Sequence, residues 1–224
     1  MQKLTMPFTA QMMLSGYKNA KYLAHWGYAH YGVDISTIQG NAGSDHKIYA
    51  SGTGKVVLAG LDNNVGNCVA VQYDDCYNHK TGKTCSLVAR YMHLASIAAK
   101  VGQAVTAGTV LGVEGNTGTT DPHLHIEFDT DCQWPAYSPQ VKGGTVIRKG
   151  TDSTVNPSYI LHVGTGQKIV APTYNPAWLN AEDYTIPALM PPATDYKALY
   201  DKERDKRTYI AGQLRTLLAV AEEN

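Results

Sequence analysis

Short runs of β-branched or alternating residues recur between residues 32 and 128, and glycine or asparagine separates one run from the next. Such runs predict strands, because strand side chains alternate between two faces, whereas glycine and asparagine suit tight turns. We expect strands at GVDIS, KIYA, GKVVLAG, CVAVQY, LVARYMH, VLGVEG and HLHIEF. Frequent short strands predict a mainly β fold, with an antiparallel sheet arranged as an open barrel or a sandwich.

The chain on either side of this pattern differs from it in composition and periodicity. Residues 1–27 form a mixed lead-in without a strong period, and residues 28–165 are expected to be the main domain. Residues 166–194 are rich in proline and predict an extended segment. Residues 195–224 carry an apolar stripe at helical spacing, which predicts a C-terminal helical appendage that packs on the domain or serves in self-association. Within the main domain, ASIAAKV predicts a single helical turn.

Composition and charge exclude several functions. The 224 residues are 43% hydrophobic and 17% charged, so a folded core is expected rather than disorder. Because 19 Lys and Arg are balanced by 19 Asp and Glu without a basic block, a nucleic-acid partner is not expected. No segment approaches the ~20 apolar residues of a membrane span. The first residues also lack the apolar centre of a secretory signal.

The four cysteines do not have the spacing of a zinc finger. Cys76 and Cys85 flank YNHKTGKT, which predicts the connection of a β-hairpin. Facing cysteines on such a hairpin can form a disulfide, and Cys132 is a competing partner. Cys68 lies in an apolar strand and is expected to be a buried free thiol.

The predicted strand HLHIEF places two histidines on one face. Alternation puts His123, His125, Glu127 and Asp129 on that face, whereas the apolar residues from Leu124 to Phe128 face the core. The pair alone is compatible with two surface histidines or with metal ligands. For Glu127 we favour a surface position over a role in orienting an imidazole.

A second candidate cluster consists of His30 and Asp34, four residues apart. Gly32 and its β-branched neighbours argue against a helix and predict a turn that enters a strand, where Gly32 permits close backbone approach. Imidazole nitrogens and carboxylate oxygens bind zinc at about 2.0–2.2 Å, and a catalytic zinc takes three protein ligands and one water. His30, Asp34 and either His123 or His125 would supply these ligands.

A third candidate is His93, at the end of the strand LVARYMH. Alternation predicts that His93 shares a strand face with Ala89 and Tyr91, and that Arg90 and Met92 lie on the other face. Side chains at strand ends often reach a functional site. A single histidine is also common at structural or exposed positions.

The ordered set His30-x-x-x-Asp34, YMHL with His93, and His123-x-His125 resembles the lysostaphin-like (LytM-type) zinc endopeptidases of bacterial cell walls. The segments HYGVDIS, IYASGTGKVVLAG, YMHLASIAAKVGQAVTAGTVLG and GNTGTTDPHLHIEF are also similar to that family. The resemblance covers roughly residues 28 to 130. It implies that His30, Asp34 and His125 bind Zn²⁺, and that His93 and His123 are catalytic residues beside the metal.

The resemblance further implies hydrolysis of a peptide bond in the stem peptides or cross-bridges of bacterial peptidoglycan, on the extracellular or periplasmic side. Without a signal peptide, we expect either phage-type release or a missing export segment. His93 or His123 would take the water proton or stabilise the oxyanion, and Tyr22 and Tyr28 are candidate hydroxyl donors there. Two alternatives are a non-catalytic wall-binding or amidase-activating module of the same fold, and a carrier domain that shares the VGQAVTAGTVLG hairpin.

Overall fold

The computed structural model describes residues 1–39, 45–132, 140–142, 145–148, 152–170 and 176–189, together with residues 204, 206 and 210. Met1–Leu189 form one unit, and Met190–Asn224 form a second. The predicted C-terminal helix over residues 195–224 lies outside the described ranges apart from the three isolated positions. Within these ranges, no helix has the length and apolar character needed to cross a bilayer.

Strands dominate the described secondary structure. In chain order they are β1 Leu4–Thr5, β2 Ala10–Ser15, β3 Val33–Ser36, β4 Lys47–Tyr49, β5 Gly54–Asp62, β6 Gly66–Asn78, β7 Lys83–Leu94, β8 Ser96–Ile97, β9 Ala104–Val105, β10 Val110–Val113, β11 Leu124–Asp129, β12 Gln140–Lys142, β13 Thr145–Arg148, β14 Thr154–Val155, β15 Leu161–His162 and β16 Lys168–Val170. The helix α1 spans Ala20–Trp26, and 3₁₀ helices span Pro157–Tyr159, Pro176–Trp178 and Ala181–Tyr184.

One nine-stranded sheet holds most of these strands, in the order β16-β2-β3-β11-β7-β6-β5-β9, with β14 paired to β11. Its neighbouring strands are antiparallel except for the parallel pair β16 and β2. A smaller antiparallel sheet contains β4, β10 and β8. The predicted mainly β fold is therefore confirmed.

Each predicted strand coincides with an observed one, but the predicted helical turn in ASIAAKV is wrong. Ser96–Ile97 form β8 instead. The Ala95 N–H donates to the Val113 carbonyl and the Ala98 N–H donates to the Leu111 carbonyl. These bonds to β10 hold the segment extended, and a local propensity cannot reveal them.

Both flanks of the predicted main domain contribute strands to the large sheet. β2, at Ala10–Ser15, pairs with β3 on one side and with β16, at Lys168–Val170, on the other. The sequence AQMMLS contains no β-branched residue and is buried on both faces, so it lacks the alternation that identifies a half-buried strand. The lead-in of residues 1–27 therefore belongs to the same folded unit as the residues that follow it.

The core lies on the apolar face of β11. Leu124, Ile126 and Phe128 are fully buried there, as alternation predicts. They join a cluster that includes Val33 and Ile35 of β3. Consequently the opposite face of β11 and β3 is available to carry polar side chains in a fixed register.

The hairpin predicted around YNHKTGKT is formed by β6 and β7, and Cys76 lies directly opposite Cys85. All four cysteines are free thiols, so the possible disulfide between these two is not formed. Cys68 is buried as predicted, and burial raises the pKa of its thiol to about 12. The thiol is therefore protonated at neutral pH.

Candidate metal centre

His30, Asp34 and His125 bring three ligand atoms together. Asp34 of β3 lies directly opposite His125 of β11 in the antiparallel register, and His30 precedes β3. His30 Nε2 is 3.1 Å from Asp34 Oδ1 and 3.0 Å from His125 Nδ1, which is itself 3.0 Å from Asp34 Oδ1. Two ligands of a tetrahedral zinc ion lie about 3.3–3.5 Å apart, so the triangle fits zinc after a slight expansion.

The ring nitrogens of His30 and His125 that do not belong to the triangle, Nδ1 and Nε2 respectively, lie against other protein atoms. His30 Nδ1 is 2.9 Å from the Gly16 carbonyl oxygen. If Nδ1–H donates to this carbonyl, Nε2 keeps its lone pair for a metal. At Gly32, a Cβ atom would meet the Ile126 carbonyl oxygen and lie 2.6 Å from His125 Nε2. The predicted close backbone approach at Gly32 is therefore confirmed, and only glycine fits beside His125.

The charge states of Asp34 and His125 reflect their mutual contact. Burial alone would raise the pKa of Asp34, but electrostatic interaction with His30 and His123 and hydrogen bonding to His125 and His30 hold it well below its usual value. Burial alone would lower the pKa of His125, but hydrogen bonding to Asp34 and Glu127 raises it to about 9. Asp34 is thus an ionised carboxylate, and a metal must displace a proton from His125.

His93 and His123 lie side by side next to this triangle, with ring centroids 4.9 Å apart. His123 Nδ1 is 2.8 Å from the Asp121 carbonyl oxygen, and His93 Nδ1 is 3.0 Å from the Thr117 carbonyl oxygen. A carbonyl only accepts, so each Nδ1 must donate, and in the neutral ring each Nε2 is then an acceptor. His123 Nε2 lies 3.6 Å from Asp34 Oδ1. Both imidazoles therefore stand beside the ligand atoms with a basic nitrogen available.

His93 reaches the cleft because the alternation of β7 is interrupted at this residue. Tyr91 and Leu94 are both in the core, although strict alternation would separate them. His93 has a φ of 67°, in the left-handed region. Its side chain lines the cleft together with Met92, so the predicted position on the face of Ala89 and Tyr91 is wrong. Burial, with the positive charges of the neighbouring histidines, lowers the pKa of His93 to about 4, and the ring is neutral at neutral pH.

Glu127, Arg90 and Asp129 form a buried charged cluster next to His125. Arg90 Nη1 is 3.4 Å from Glu127 Oε1 and 2.9 Å from Asp129 Oδ2. Glu127 is only 3% exposed, so the favoured surface position is wrong. Its Oε2 lies 3.9 Å from His125 Nε2, where a carboxylate attracts the ring N–H. Glu127 is therefore placed to orient His125.

These residues line a cleft of about 870 Å³. The ring of Tyr22 stacks on His30 at a centroid distance of 4.3 Å, and its hydroxyl lies 3.3 Å from that of Tyr28. Burial, with the nearby Asp34 charge, raises the pKa of Tyr22, so this hydroxyl is protonated. Both tyrosines singled out from the sequence thus line the cleft, and their role toward an oxyanion is still a prediction.

The sequence did not identify four contributors to the site. The carbonyls of Gly16, Thr117 and Asp121 fix three imidazoles, and a main-chain carbonyl has no sequence signal. Trp178 lines the same cleft from the segment that was predicted to be extended. Its 3₁₀ helix at Pro176–Trp178 is too short for a periodic pattern.

Comparison with known proteins identifies the domain that contains this cluster. Residues 28–136 match the family model described as Peptidase family M23. The peptidoglycan DD-endopeptidase ShyA of Vibrio cholerae is 39% identical over 82 residues, which are 36% of this chain and 17% of that protein. Lysostaphin of Staphylococcus simulans is 37% identical over 103 residues, which are 45% of this chain and 18% of that protein. The matches thus span less than a fifth of these relatives.

Among solved structures, the catalytic domain of lysostaphin from Staphylococcus simulans aligns with a TM-score of 0.41 and 24% identity, over 65% of this chain and 87% of that chain. The family match itself covers all five histidine and aspartate residues of the cluster. Over residues 28–136 the chain therefore matches a domain of peptidase family M23.

Proposed function

We propose that this chain is a zinc-dependent endopeptidase that hydrolyses a peptide bond in bacterial peptidoglycan, acting at the cell wall. The observation that carries the proposal is the triangle of His30, Asp34 and His125 ligand atoms, with edges of 3.0–3.1 Å. The relatives named peptidoglycan DD-endopeptidase and lysostaphin support this substrate class. A non-catalytic wall-binding module is disfavoured, because every ligand and proton-transfer position is filled.

The proposal assigns one ligand atom to each of the three residues. His30 would bind through Nε2, Asp34 through Oδ1 and His125 through Nδ1. A bound zinc ion acidifies a water molecule and polarises a carbonyl group. Gly16 and Glu127 keep the two imidazoles oriented, which limits the reorganisation needed when the metal binds.

In this proposal His123 transfers a proton and His93 orients the attacking water. The Nε2 atom of His123 lies close to Asp34 and would accept a proton from the attacking water. It can return that proton to the leaving amine. Neutral His93 would accept a hydrogen bond through its own Nε2 and so orient the same water. Neither ring has an N–H left to stabilise an oxyanion in this tautomer.

The tyrosine pair supplies a donor for the oxyanion. The Tyr22 hydroxyl donates to the Tyr28 hydroxyl, so the Tyr28 O–H can be directed into the cleft. A protonated hydroxyl in a partly buried cleft is suited to stabilise negative charge on a carbonyl oxygen. We therefore assign this role to Tyr28, with Tyr22 as its hydrogen-bond partner.

The proposal is tested by zinc content and lysis of purified cell walls. His30→Ala should lose bound zinc and activity together. His123→Ala should retain zinc and lose activity by about 10²- to 10⁴-fold, the range for a general base. A His123→Ala variant with full activity would contradict the assigned roles, and wall lysis that persists in a metal chelator would contradict the function.

A further inference from the structure

A connected group of aromatic rings lines the cleft beside His30, Asp34 and His125, the candidate metal-binding residues that are called the metal cluster below. We call Tyr22, Trp26, Tyr28 and Trp178 the aromatic wall. The centroid of Tyr22 lies 6.3 Å from that of Trp26, 5.7 Å from that of Tyr28 and 6.2 Å from that of Trp178. Trp26 is 53% exposed, which is unusual for so large an apolar ring. An exposed tryptophan in a cleft indicates a contact surface for a ligand.

The wall is held in place by hydrogen bonds between distant parts of the chain. Asn19 caps α1 by accepting from the Lys21 and Tyr22 amides, and its Nδ2 donates to Asn180 Oδ1 at 2.9 Å. The Gly16 N–H donates to the Trp178 carbonyl at 2.8 Å. These bonds fix the helix that carries Trp26 against the segment that carries Trp178. The wall is therefore largely formed before a ligand binds.

Most of the wall lies outside the family match. Tyr22 and Trp26 precede residue 28, and Trp178 follows residue 136. The metal ligands and the proton-transfer histidines all lie within it. The catalytic cluster and the aromatic wall are thus contributed by different parts of the sequence, although they line one cleft.

The chemistry of the wall favours a neutral ligand with a flat apolar face. The described residues that line the cleft include no lysine or arginine. The carboxylates of a stem peptide would therefore find no lysine or arginine in the described lining of the cleft. A pyranose ring presents a face of C–H groups that packs on an aromatic ring, while its hydroxyls at the edge keep their hydrogen bonds. Exposed tryptophan beside tyrosine hydroxyls fits this combination of surfaces.

We propose that the aromatic wall binds a sugar ring of the glycan strand while the attached peptide lies across the metal cluster. This inference rests on the proposed function, because it assigns the two chemical parts of peptidoglycan to two parts of one cleft. Tyr22 stacks on His30 and also contacts Trp26. An extended peptide of about three residues, at about 3.3–3.6 Å each, spans this short path, so one substrate can reach both.

Direct glycan binding is the first test. The probe is the β-1,4-linked tetramer of N-acetylglucosamine, which contains no peptide, titrated into the zinc-loaded protein while intrinsic tryptophan fluorescence is recorded. We expect saturable binding that Trp26→Ala weakens by about five- to tenfold, the size of one lost aromatic contact. Leu61→Ala is the matched control, because Leu61 is 75% exposed and lies outside the cleft lining. Equal binding by wild type and Trp26→Ala, or none by wild type, overturns the proposal.

Two matched substrates provide the second test: one stem peptide with its disaccharide and the same peptide without it. Wild type should have the lower KM for the sugar-bearing substrate. Trp26→Ala should bring the ratio of the two KM values close to one. Trp26→Tyr should restore part of the preference for the sugar-bearing substrate. If Trp26→Ala raises both KM values equally, the wall binds peptide and the proposal is overturned. Glycan binding without any hydrolysis would refute the proposed function alone, whereas hydrolysis without glycan binding would refute this inference alone.

Discussion

The metal cluster and the aromatic wall share one cleft but are built in different ways. Asp34 and His125 are fixed by the register of two central strands. Trp26 and Trp178 are carried by short helices whose positions depend on tertiary hydrogen bonds. The chemical step is thus assigned to the rigid sheet, and recognition is assigned to segments around it. Changes to the sheet should abolish the reaction, whereas changes to the wall should alter substrate preference.

The backbone of Gly16 joins the two regions. The Gly16 carbonyl accepts from His30 Nδ1 at 2.9 Å, and the Gly16 N–H donates to the Trp178 carbonyl at 2.8 Å. A shift of this backbone would move His30, a proposed metal ligand, and Trp178 together. The proposed division between catalysis and recognition is therefore incomplete, both in this main chain and in the side chain of Tyr28, which belongs to the wall and is assigned to the oxyanion.

Loss of a metal ligand should have the largest effect and should separate the two regions most clearly. Asp34→Ala removes the carboxylate from the triangle, so we expect loss of stoichiometric zinc and a fall in wall lysis of at least about 10³-fold. Metal analysis of the purified variant checks this. Trp26→Ala is the control and should retain its zinc. An Asp34→Ala variant that keeps both zinc and activity would contradict the ligand assignment.

A change at Gly16 should weaken ligand binding at the metal cluster and at the aromatic wall together. A Cβ atom there would collide with Asp183 Oδ2 and lie 2.7 Å from Asn180 Nδ2. We expect Gly16→Ala to weaken zinc binding and binding of the N-acetylglucosamine tetramer in the same variant, each by about tenfold or more, because a small misplacement of a site residue is costly.

Gly60→Ala is the matched control for the Gly16 change. A Cβ atom at Gly60 meets no atom within 4 Å, so both affinities should match those of the wild type. If Gly16→Ala weakens glycan binding and leaves zinc binding intact, the carbonyl contact to His30 does not orient the ligand.

Glu127→Gln should affect the metal region alone. The variant removes the charge that lies 3.9 Å from His125 Nε2 and leaves Arg90 with Asp129 as its acidic neighbour. We expect zinc affinity to fall by about tenfold, as for other residues that orient metal-binding imidazoles. Competition with a chromogenic chelator measures it. Glu182→Gln, outside the cleft lining, should leave the affinity unchanged.

Zinc affinity should rise with pH, because a proton on His125 competes with the metal. With a pKa of about 9 for His125, each pH unit gained between 7 and 9 should strengthen zinc binding by up to about tenfold. Titration calorimetry in buffers of different ionisation enthalpy should detect the released proton. Affinity that is independent of pH over this range would show that His125 Nδ1 does not bind the metal.

In chelator-treated protein, loss of the His125 proton at high pH should lower the free energy of unfolding. The folded-state pKa of His125 lies above the unfolded value of about 6.5, so its contribution to the free energy of unfolding is complete below that pH. It is lost as the pH rises through about 9. Denaturant unfolding with and without zinc should therefore diverge most at the alkaline end.

Strand alternation predicted the parts of the site that depend on local geometry. In HLHIEF it correctly placed the apolar residues in the core and both histidines on the other face. It failed at His93, because a left-handed φ at one residue changes the face of everything beyond it. It placed Glu127 on the correct face but could not predict its burial, since the covering of that face by Arg90 and Asp129 is a tertiary property.

The surroundings of the site were less predictable. β2 lacks alternation because both of its faces are buried, and the contribution of Trp178 depends on a hydrogen bond to Gly16 more than 160 residues away in the sequence. Neither feature leaves a local pattern. The candidate ligands were recognisable from the sequence because they lie at characteristic spacings within short segments. The aromatic wall was not, because it depends on contacts between the two ends of the folded unit.

The central claim is that a zinc ion held by His30, Asp34 and His125 is required to hydrolyse a peptide bond of the cell wall. The most direct measurement is mass spectrometry of fragments released from purified peptidoglycan by chelator-treated protein before and after zinc is restored. The account predicts that fragments appear only with about one zinc ion per chain, and that each carries the mass of one added water at a peptide bond. Fragments released without zinc, or cleavage only within the glycan strand, would contradict it.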